Sequence, residues 1–368
     1  MDIFNDNRIV LTLDAGGTNF VFTAIQGGKA ITKDVTLPSN GHNIELCLNT
    51  IKKGFKQQIE LLDAKPVAIS FAFPGPANYT NGIIGDLFNL PGFRGGVPLA
   101  SILNSYFNLP VFINNDGDLY AYGEALGGIL PEINRELEKA VNPKRYHNLI
   151  GLTLGTGFGG GIVSENKLFR GDNSLPGEVW ICSNRRNSEV NAEELVSTRA
   201  VQREYARVAK IKYPNNLMPK DIASIAKGTR EGNREAALEA FSMMGRALGD
   251  TIANLQTIFD SIVVIGGGIT GASELYMPFV MEELNSTFSQ TSGSKIPRLV
   301  QKVFNLDESN DRKAFFMDNS IEIEVKETGE KLFYNPEPHL AIATSKLGAS
   351  QAISLGAYAF ALSSLQGK

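Results

Sequence analysis

Apolar runs that end in glycine open the chain. Ile9 to Leu13 leads into Asp14-Ala15-Gly16-Gly17-Thr18-Asn19, and a second run, Phe20 to Ile25, leaves that turn. Short apolar runs bounded by turn residues predict strands. The pattern therefore predicts three successive strands: Ile9 to Leu13, Phe20 to Ile25 and Ala30 to Leu37. Asn40 or His42 then opens a helix, in which Ile44, Leu48, Ile51, Phe55, Ile59 and Leu62 recur at helical spacing. Pro66 to Phe73 reads as a buried strand closed by Pro74-Gly75-Pro76. After a short strand at Ile83-Ile84 and a polar, aromatic loop from Asp86 to Phe93, Leu99, Ile102, Leu103 and Tyr106 mark a helix. Leu109 to Ile113 forms the next strand. It ends in Asn114-Asn115-Asp116-Gly117-Asp118, and a helix with Leu119, Tyr120, Tyr122, Ala125 and Leu126 follows.

The second half repeats the opening pattern. Leu152-Thr153-Leu154-Gly155-Thr156-Gly157-Phe158-Gly159-Gly160-Gly161 again runs strand, glycine turn, strand. Its return, Ile162 to Lys167, resembles Ala24 to Lys29. A third glycine stretch, Gly266-Gly267-Gly268, ends the buried run Val263-Val264-Ile265. Between these, Pro131 to Asn148 reads as a polar surface excursion, and Glu193-Glu194 open a helix through Leu195, Thr198, Val201 and Tyr205. Residues 212–235 read as a polar insertion. Ala236 to Phe259 is a long helix with core positions Leu238, Phe241, Leu248, Ile252, Leu255 and Ile258. Residues 286–340 have no counterpart in the first half; Ile321 to Val325 alternates as a half-exposed accessory strand should. Leu347 to Leu365 is a helix rich in Ala, Gly and Ser, suited to close packing. Three antiparallel strands, a helix and a further strand in the first half, with the glycine hairpin met again in the second, predict an α/β fold of two RNase-H-like domains (actin/hexokinase-type ATPase), their glycine turns facing across a cleft. The expected boundaries are 1–125 plus 345–368 for the first domain, and 126–344 for the second, with an accessory insertion at about 286–340.

Composition narrows the function. A chain of 368 residues with 43% hydrophobic and 20% charged content is ample for two soluble domains. A net charge of -4 excludes a general attraction to nucleic acid. No run of about 18 apolar residues predicts a membrane span, and the N-terminus lacks a basic then apolar signal, so a cytoplasmic protein is expected. Cys47 and Cys182 are too few for a disulfide framework, and His42, His147 and His339 show no metal spacing.

The chemistry gathers at the strand ends. Glycine turns let the backbone approach a ligand and cradle phosphate oxygens. Asp14 adds a carboxylate beside the first turn, where a phosphate-bound magnesium needs an oxygen ligand. Asp116 lies at the carboxyl end of a strand, where ligands collect in open α/β sheets. An ionised Asp there can accept the proton of a hydroxyl that receives a phosphoryl group. Alternatively, Asp116 or Asp118 only caps the helix. Gly155-x-Gly157-x-x-Gly160 and Gly266-x-Gly268-x-x-Gly271 formally match a dinucleotide fingerprint. The first is followed by a strand instead of a helix. The second lacks an acidic residue at the end of a following strand, since Glu282 and Glu283 fall in a helical stretch. The first match is therefore rejected, and the second is a weak one for nicotinamide chemistry.

These motifs resemble, in order and over most of the chain, the ROK family of bacterial sugar kinases. Asp14 to Asn19 is similar to its first phosphate motif, Leu154 to Gly161 to its second, and Gly266-Gly267-Gly268 to its adenosine segment. Pro74-Gly75-Pro76, Asn89-Leu90-Pro91-Gly92 and Asn115-Asp116 are similar to its sugar-site segments. The resemblance implies Asp116 as catalytic base, with Gly75, Asn89, Asn115, Glu178 and Glu193 on the sugar. It implies Asp14, Gly16, Gly17, Thr18, Asn19, Gly155, Thr156 and Gly157 around the phosphates and magnesium of ATP, and Gly266, Gly267 and Gly268 by the nucleoside. The family usually has a histidine directly after the Gly-Glu pair and then a cysteine-rich zinc loop. Here Gly177-Glu178 is followed by Val179-Trp180-Ile181-Cys182, Asn191 stands where a ligand cysteine is expected, and no zinc is predicted. Asp118 stands where an asparagine is common. Family repressors carry an N-terminal helix-turn-helix, which does not fit ahead of a phosphate motif this near Met1. The expected activity is ATP-dependent phosphorylation of a hexose, by a homodimer with neither nucleic-acid nor membrane partners. The alternatives are an N-acetylhexosamine kinase and a non-catalytic sugar-binding regulator without a DNA-binding domain.

Overall fold

The first predicted hairpin forms as Val10–Ala15 antiparallel to Asn19–Gln26, from Val10 opposite Ile25 to Ala15 opposite Phe20, in a computed structural model that describes residues 2–213 and 216–366. Apolar side chains alternate along Asn19–Gln26, and Phe20, Phe22 and Ala24 are fully buried. The predicted third strand is split into Lys29–Ala30 and Val35–Pro38. The split has a local cause. The hydroxyl of Thr32 accepts from the Ala24 amide at 3.1 Å, and the Thr23 hydroxyl donates to Asp34 at 2.6 Å. Side chains there take over the partners that a continuous ladder would use. The helix is Ile44–Glu60, capped by Asn43 in place of the expected Asn40 or His42; the Asn43 Oδ1 accepts from the Leu46 amide at 3.1 Å.

Two compact units divide the chain. One comprises Met1–Ile129, Gly160–Gly177 and Lys346–Lys368; the other comprises Leu130–Gly159 and Glu178–Ser345. In the first unit the sheet runs in the order Lys29–Ala30, Asn19–Gln26, Val10–Ala15, Ala68–Ala72, Val111–Asn114. The last three strands are mutually parallel. The core on the Ile44–Glu60 side is aromatic: Phe22 meets Phe55 edge-on with centroids 5.1 Å apart, and Phe71 meets Phe73 at 6.0 Å. On the other side, the terminal helix Ala349–Gln366 packs on the helix Asp116–Gly127. Glycines make that approach: a Cβ on Gly123 would lie 1.9 Å from the Ala352 carbonyl oxygen, and one on Gly356 1.9 Å from that of Leu119.

In the second unit, Leu149–Leu154, Ile262–Gly266, His339–Thr344 and Lys302–Asn305 lie parallel in that order. The stretch 286–340, expected as accessory, thus supplies a strand of the main sheet. It also carries two separate hairpins, Thr287–Ser289 with Lys295–Pro297 and Ile321–Glu324 with Lys331–Tyr334. The expected surface excursion after Pro131 belongs to a helix, Ile129–Lys139, with Leu130, Ile133 and Leu137 buried on one stripe. Within the polar insertion expected over 212–235, Pro219–Ala226 is a helix with Ile222 and Ile225 buried; Pro214 and Asn215 lie outside the described residues. The long helix runs Arg234–Phe259, and Phe241, Leu248, Ile252 and Leu255 are buried as predicted. Leu238 and Ile258 are not: they are 40% and 74% exposed. The buried stripe passes through Ala237 and Met244 instead. Among the described residues no helix is long and apolar enough to cross a membrane.

Candidate active site

Asp14 sits one residue from the end of its strand, opposite Val21. The turn beyond it is closed tightly: a Cβ on Gly16 would meet the Asn19 carbonyl oxygen at 2.8 Å. Ser39 ties the turn from outside, its hydroxyl donating to the Gly17 carbonyl at 2.6 Å and its amide to that of Thr18 at 2.9 Å. Thr18 and Asn19 are exposed. Gly17 faces Asn89, whose Cβ lies 4.0 Å from where a Gly17 Cβ would stand. Asn89 is exposed on a loop anchored by buried side chains. Leu87, Leu90 and Phe93 are buried beneath it, and Arg94 donates to the carbonyls of Leu87 and Phe93 at 2.7 Å each. Gly75, exposed at the strand end, would bring a Cβ to 3.1 Å from the Tyr79 hydroxyl.

Asn115 decides the capping question at Asp116. Its Oδ1 accepts from the Asp118 amide at 2.6 Å, so Asn115 is the N-cap and Asp116 the first helical residue. Asp118 is buried at 2% exposure, whereas Asp116 is exposed, one oxygen accepting from the Gly117 amide at 3.0 Å. The helix start is seated on bare backbone. A Cβ on Gly117 would lie 2.3 Å from the Gly160 carbonyl oxygen, and one on Gly161 2.4 Å from that of Gly117. Gly177, at φ 93°, presses on the same Gly160 oxygen. Gly160 and Gly161 therefore seat the Asp116 helix.

The first unit brings Asp14 and Asp116 close enough to influence one another. Partial loss of hydration, and then the charge of Asp116, raise the pKa of Asp14 above its ordinary 3.8. The folded chain thus holds this proton more tightly than the unfolded chain. The associated stability is complete below about pH 4 and is given up as pH rises through the raised value. Asp14→Asn is expected to melt higher than wild type at pH 7 without nucleotide or magnesium, the gap narrowing as pH falls towards 4. Thermal melts across that range check it, and an equal or lower melting point at pH 7 counts against it.

In the second unit, the turn Gly155-Thr156-Gly157 ends Leu149–Leu154. No protein atom lies within 4 Å of a Cβ position on Gly155, nor on Gly268. Packing does not require glycine at either position, and both leave the backbone bare for a ligand. Gly267 is required: its φ is 95°, and a Cβ would meet the Leu154 carbonyl oxygen at 2.3 Å. The Ile269 amide donates to that same oxygen at 3.2 Å, which joins the Gly266-Gly267-Gly268 segment to the Gly155 turn. Glu193 braces the turn, Oε2 accepting from the Phe158 amide at 2.9 Å and Oε1 from Arg199 at 2.5 Å. The helix expected through Tyr205 is broken at Ser197 into Glu193–Val196 and Thr198–Ala209, so that the Thr198 amide reaches the Gly155 carbonyl at 2.8 Å. Glu178 lies in a separate loop and accepts a hydrogen bond from the Trp180 indole.

Sequence reasoning missed Arg199 and the indole donor of Trp180. An arginine five and six residues beyond two glutamates was a weak signal for the first, and nothing local signalled the second. Among the described residues no group of three His, Cys, Asp or Glu side chains converges on a metal position. A magnesium held largely by phosphate oxygens needs only one or two carboxylates, and Asp14 with Asp116 offers hard oxygen donors of that kind. This donor pair, within the first unit, fits a magnesium ion held largely by phosphate oxygens.

The ROK family model matches residues 10–309. The chain belongs to the ROK family. Its fold is the two-unit, RNase-H-like α/β fold of that family's solved members. A glucokinase structure from Parabacteroides distasonis superimposes with a TM-score of 0.91 at 49% identity, covering 99% of each chain. The glucokinase of Thermotoga maritima is 27% identical over 72% of this chain and 84% of its own. A xylose repressor of Caldicellulosiruptor bescii is 31% identical over 51% of this chain and 47% of its own.

Proposed function

We propose that this ROK protein transfers the γ-phosphoryl group of ATP to a hexose hydroxyl, with Asp116 as the base. The observation that carries the reading is the helix start at Asp116: Asn115 does the capping, and the Asp116 carboxylate is left exposed beside Asp14 and the first glycine turn. Likeness to glucokinases supports the same chemistry. In this reading Asn89, Asn115, Glu178 and the Gly75 backbone hold sugar hydroxyls. Glu193 acts one step back, by bracing the phosphate turn at Phe158. Asp14 and the turns at Gly16, Gly17, Thr18, Asn19, Gly155, Thr156 and Gly157 receive the phosphates, while Gly266, Gly267 and Gly268 border the nucleoside. Magnesium, when bound, neutralises phosphate charge, and Asp14 holds it. Asp116 takes the hydroxyl proton as the sugar oxygen bonds to the γ-phosphorus and the bond to the ADP oxygen breaks. Positioning outweighs the proton transfer in such reactions.

A second reading, a sugar-binding regulator without turnover, is favoured by the likeness to a xylose repressor. A coupled ADP-release assay with ATP, magnesium and a panel of glucose, fructose, mannose and N-acetylhexosamines separates the two. Sugar-dependent ADP formation supports the kinase and names its substrate, including an N-acetylhexosamine. Saturable sugar binding without ADP formation supports the regulator.

A further inference from the structure

Glu178 and Trp180 occupy one tight turn. The amides of Ile181 and Cys182 donate to the carbonyls of Glu178 and Val179 at 3.3 and 3.2 Å. Val179, between them, is buried at 3% exposure, whereas Trp180 is 37% exposed. The turn is anchored by its middle residue, and the two flanking side chains meet: the indole Nε1 donates to Glu178 Oε2.

The backbone of the turn does not depend on Glu178 for its place. Immediately downstream the chain is fixed by backbone and buried contacts. The Ala192 amide donates to the Cys182 carbonyl at 2.9 Å, and Ser183 bridges to Asn191. Asn184, buried at 2%, donates to the Ala247 carbonyl at 2.8 Å, and the Arg185 amide to Asp250 at 2.9 Å. A large aromatic side chain is thus carried at the surface on a fixed turn, with its one polar atom donating to a carboxylate.

An indole N–H donates and never accepts. It occupies one oxygen of an ionised carboxylate and does not compete for a sugar O–H. With Oε2 held, a flexible glutamate loses its freedom before the sugar arrives, and Oε1 is presented in one direction. Preorganisation of this kind strengthens binding by removing an ordering cost. Val179 turns inward, so the supporting group beside Glu178 is this indole.

We propose that Trp180 is a positioning residue for sugar recognition, fixing the Glu178 carboxylate that receives a sugar hydroxyl. The proposal rests on the reading of Glu178 as a sugar contact. Trp180 is the only tryptophan of the chain, so its fluorescence reports this turn alone.

The test joins two readouts on the full-length protein: emission of Trp180 titrated with each sugar of the panel, and steady-state kinetics of wild type, Trp180→Phe and Glu178→Gln. Expected is a saturable emission change with the sugar that is turned over, lost in Glu178→Gln. Trp180→Phe, which keeps the ring and removes the donor, should raise KM for sugar about five- to thirty-fold, with kcat within about twofold and KM for ATP unchanged. Phosphorylation with unchanged sugar KM in Trp180→Phe and no emission response overturns the role of Trp180 and leaves the kinase standing. If no sugar is phosphorylated, the titration still decides. A saturable change that needs Glu178 supports Trp180 in a binding protein, and silence with every sugar overturns the role of Trp180 as well.

Discussion

The Asp116→Asn variant is expected to turn over sugar about 10²- to 10⁴-fold more slowly than wild type, the usual contribution of a positioned general base. Asparagine keeps the size of the side chain and an oxygen to accept from the Gly117 amide, a bond that measures 3.0 Å. It removes only the capacity to take a proton. The helix start does not depend on Asp116, because Asn115 supplies the cap at 2.6 Å and the glycines at 117, 160 and 161 supply the seat. Losing one exposed charge in the first turn of the helix costs about 0.3–1 kcal/mol, so the variant stays folded. The half-saturating concentrations of sugar and ATP should stay within about threefold, because the interaction removed belongs to the transition state. A kcat within tenfold of wild type would remove Asp116 from the base role. A large rise in sugar KM at unchanged kcat would make it a binding residue instead.

The parts of this molecule written in local sequence were legible. Short apolar runs closed by glycine identified the Val10–Ala15 hairpin, the Gly155 turn and the strand before Gly266, because each needs only period and turn chemistry. The stretch Pro131 to Asn148, which holds most of the helix Ile129–Lys139, reads as surface because it is polar and carries Arg135, Lys139, Lys144 and Arg145. Ile133 and Leu137 carried the helical signal, and both are fully or nearly fully buried. On Arg234–Phe259 the spacing was right and the phase was not. Ala237, too small to stand out, takes the buried place that Leu238 was given, and Ile258 faces solvent. Glu193 was placed on the sugar from its position in a motif. Of its partners, Arg199 lies six residues along, and the Phe158 amide is apparent only once the chain folds back 35 residues. Contacts made at such separations leave no periodic trace.

The longest-range case has the largest expected effect on stability. Asp250 is 2% exposed and accepts from Arg298 at 2.9 Å and from the Arg185 amide at 2.9 Å. Glu283, 1% exposed, pairs with both Arg185 and Arg186. These acids come from the helices Arg234–Phe259 and Ser273–Leu284, and the arginines from the loop after Cys182 and from the chain beyond the Thr287–Ser289 hairpin. Phe288 lies under the guanidinium groups of Arg185 and Arg298, with ring centroids 5.7 and 4.7 Å away. The loop that the family resemblance associates with a zinc site is here fastened by charge. Removing one member of a buried pair leaves its partner's charge uncompensated, which costs about 3–5 kcal/mol. Asp250→Ala strands Arg298, itself only 7% exposed along its side chain, and an amide donor besides. For a unit of roughly 200 residues, at about 2–4 °C per kcal/mol, the melting point should fall by about 6–20 °C. Buried charges are shielded from added salt, so the loss should persist at high ionic strength. A chelator, by contrast, should leave the wild-type melting point in place, and metal analysis should find no stoichiometric zinc. A wild-type melt lowered by chelator, or an Asp250→Ala melt within about 2 °C of wild type, would mean that something other than these ion pairs holds the loop.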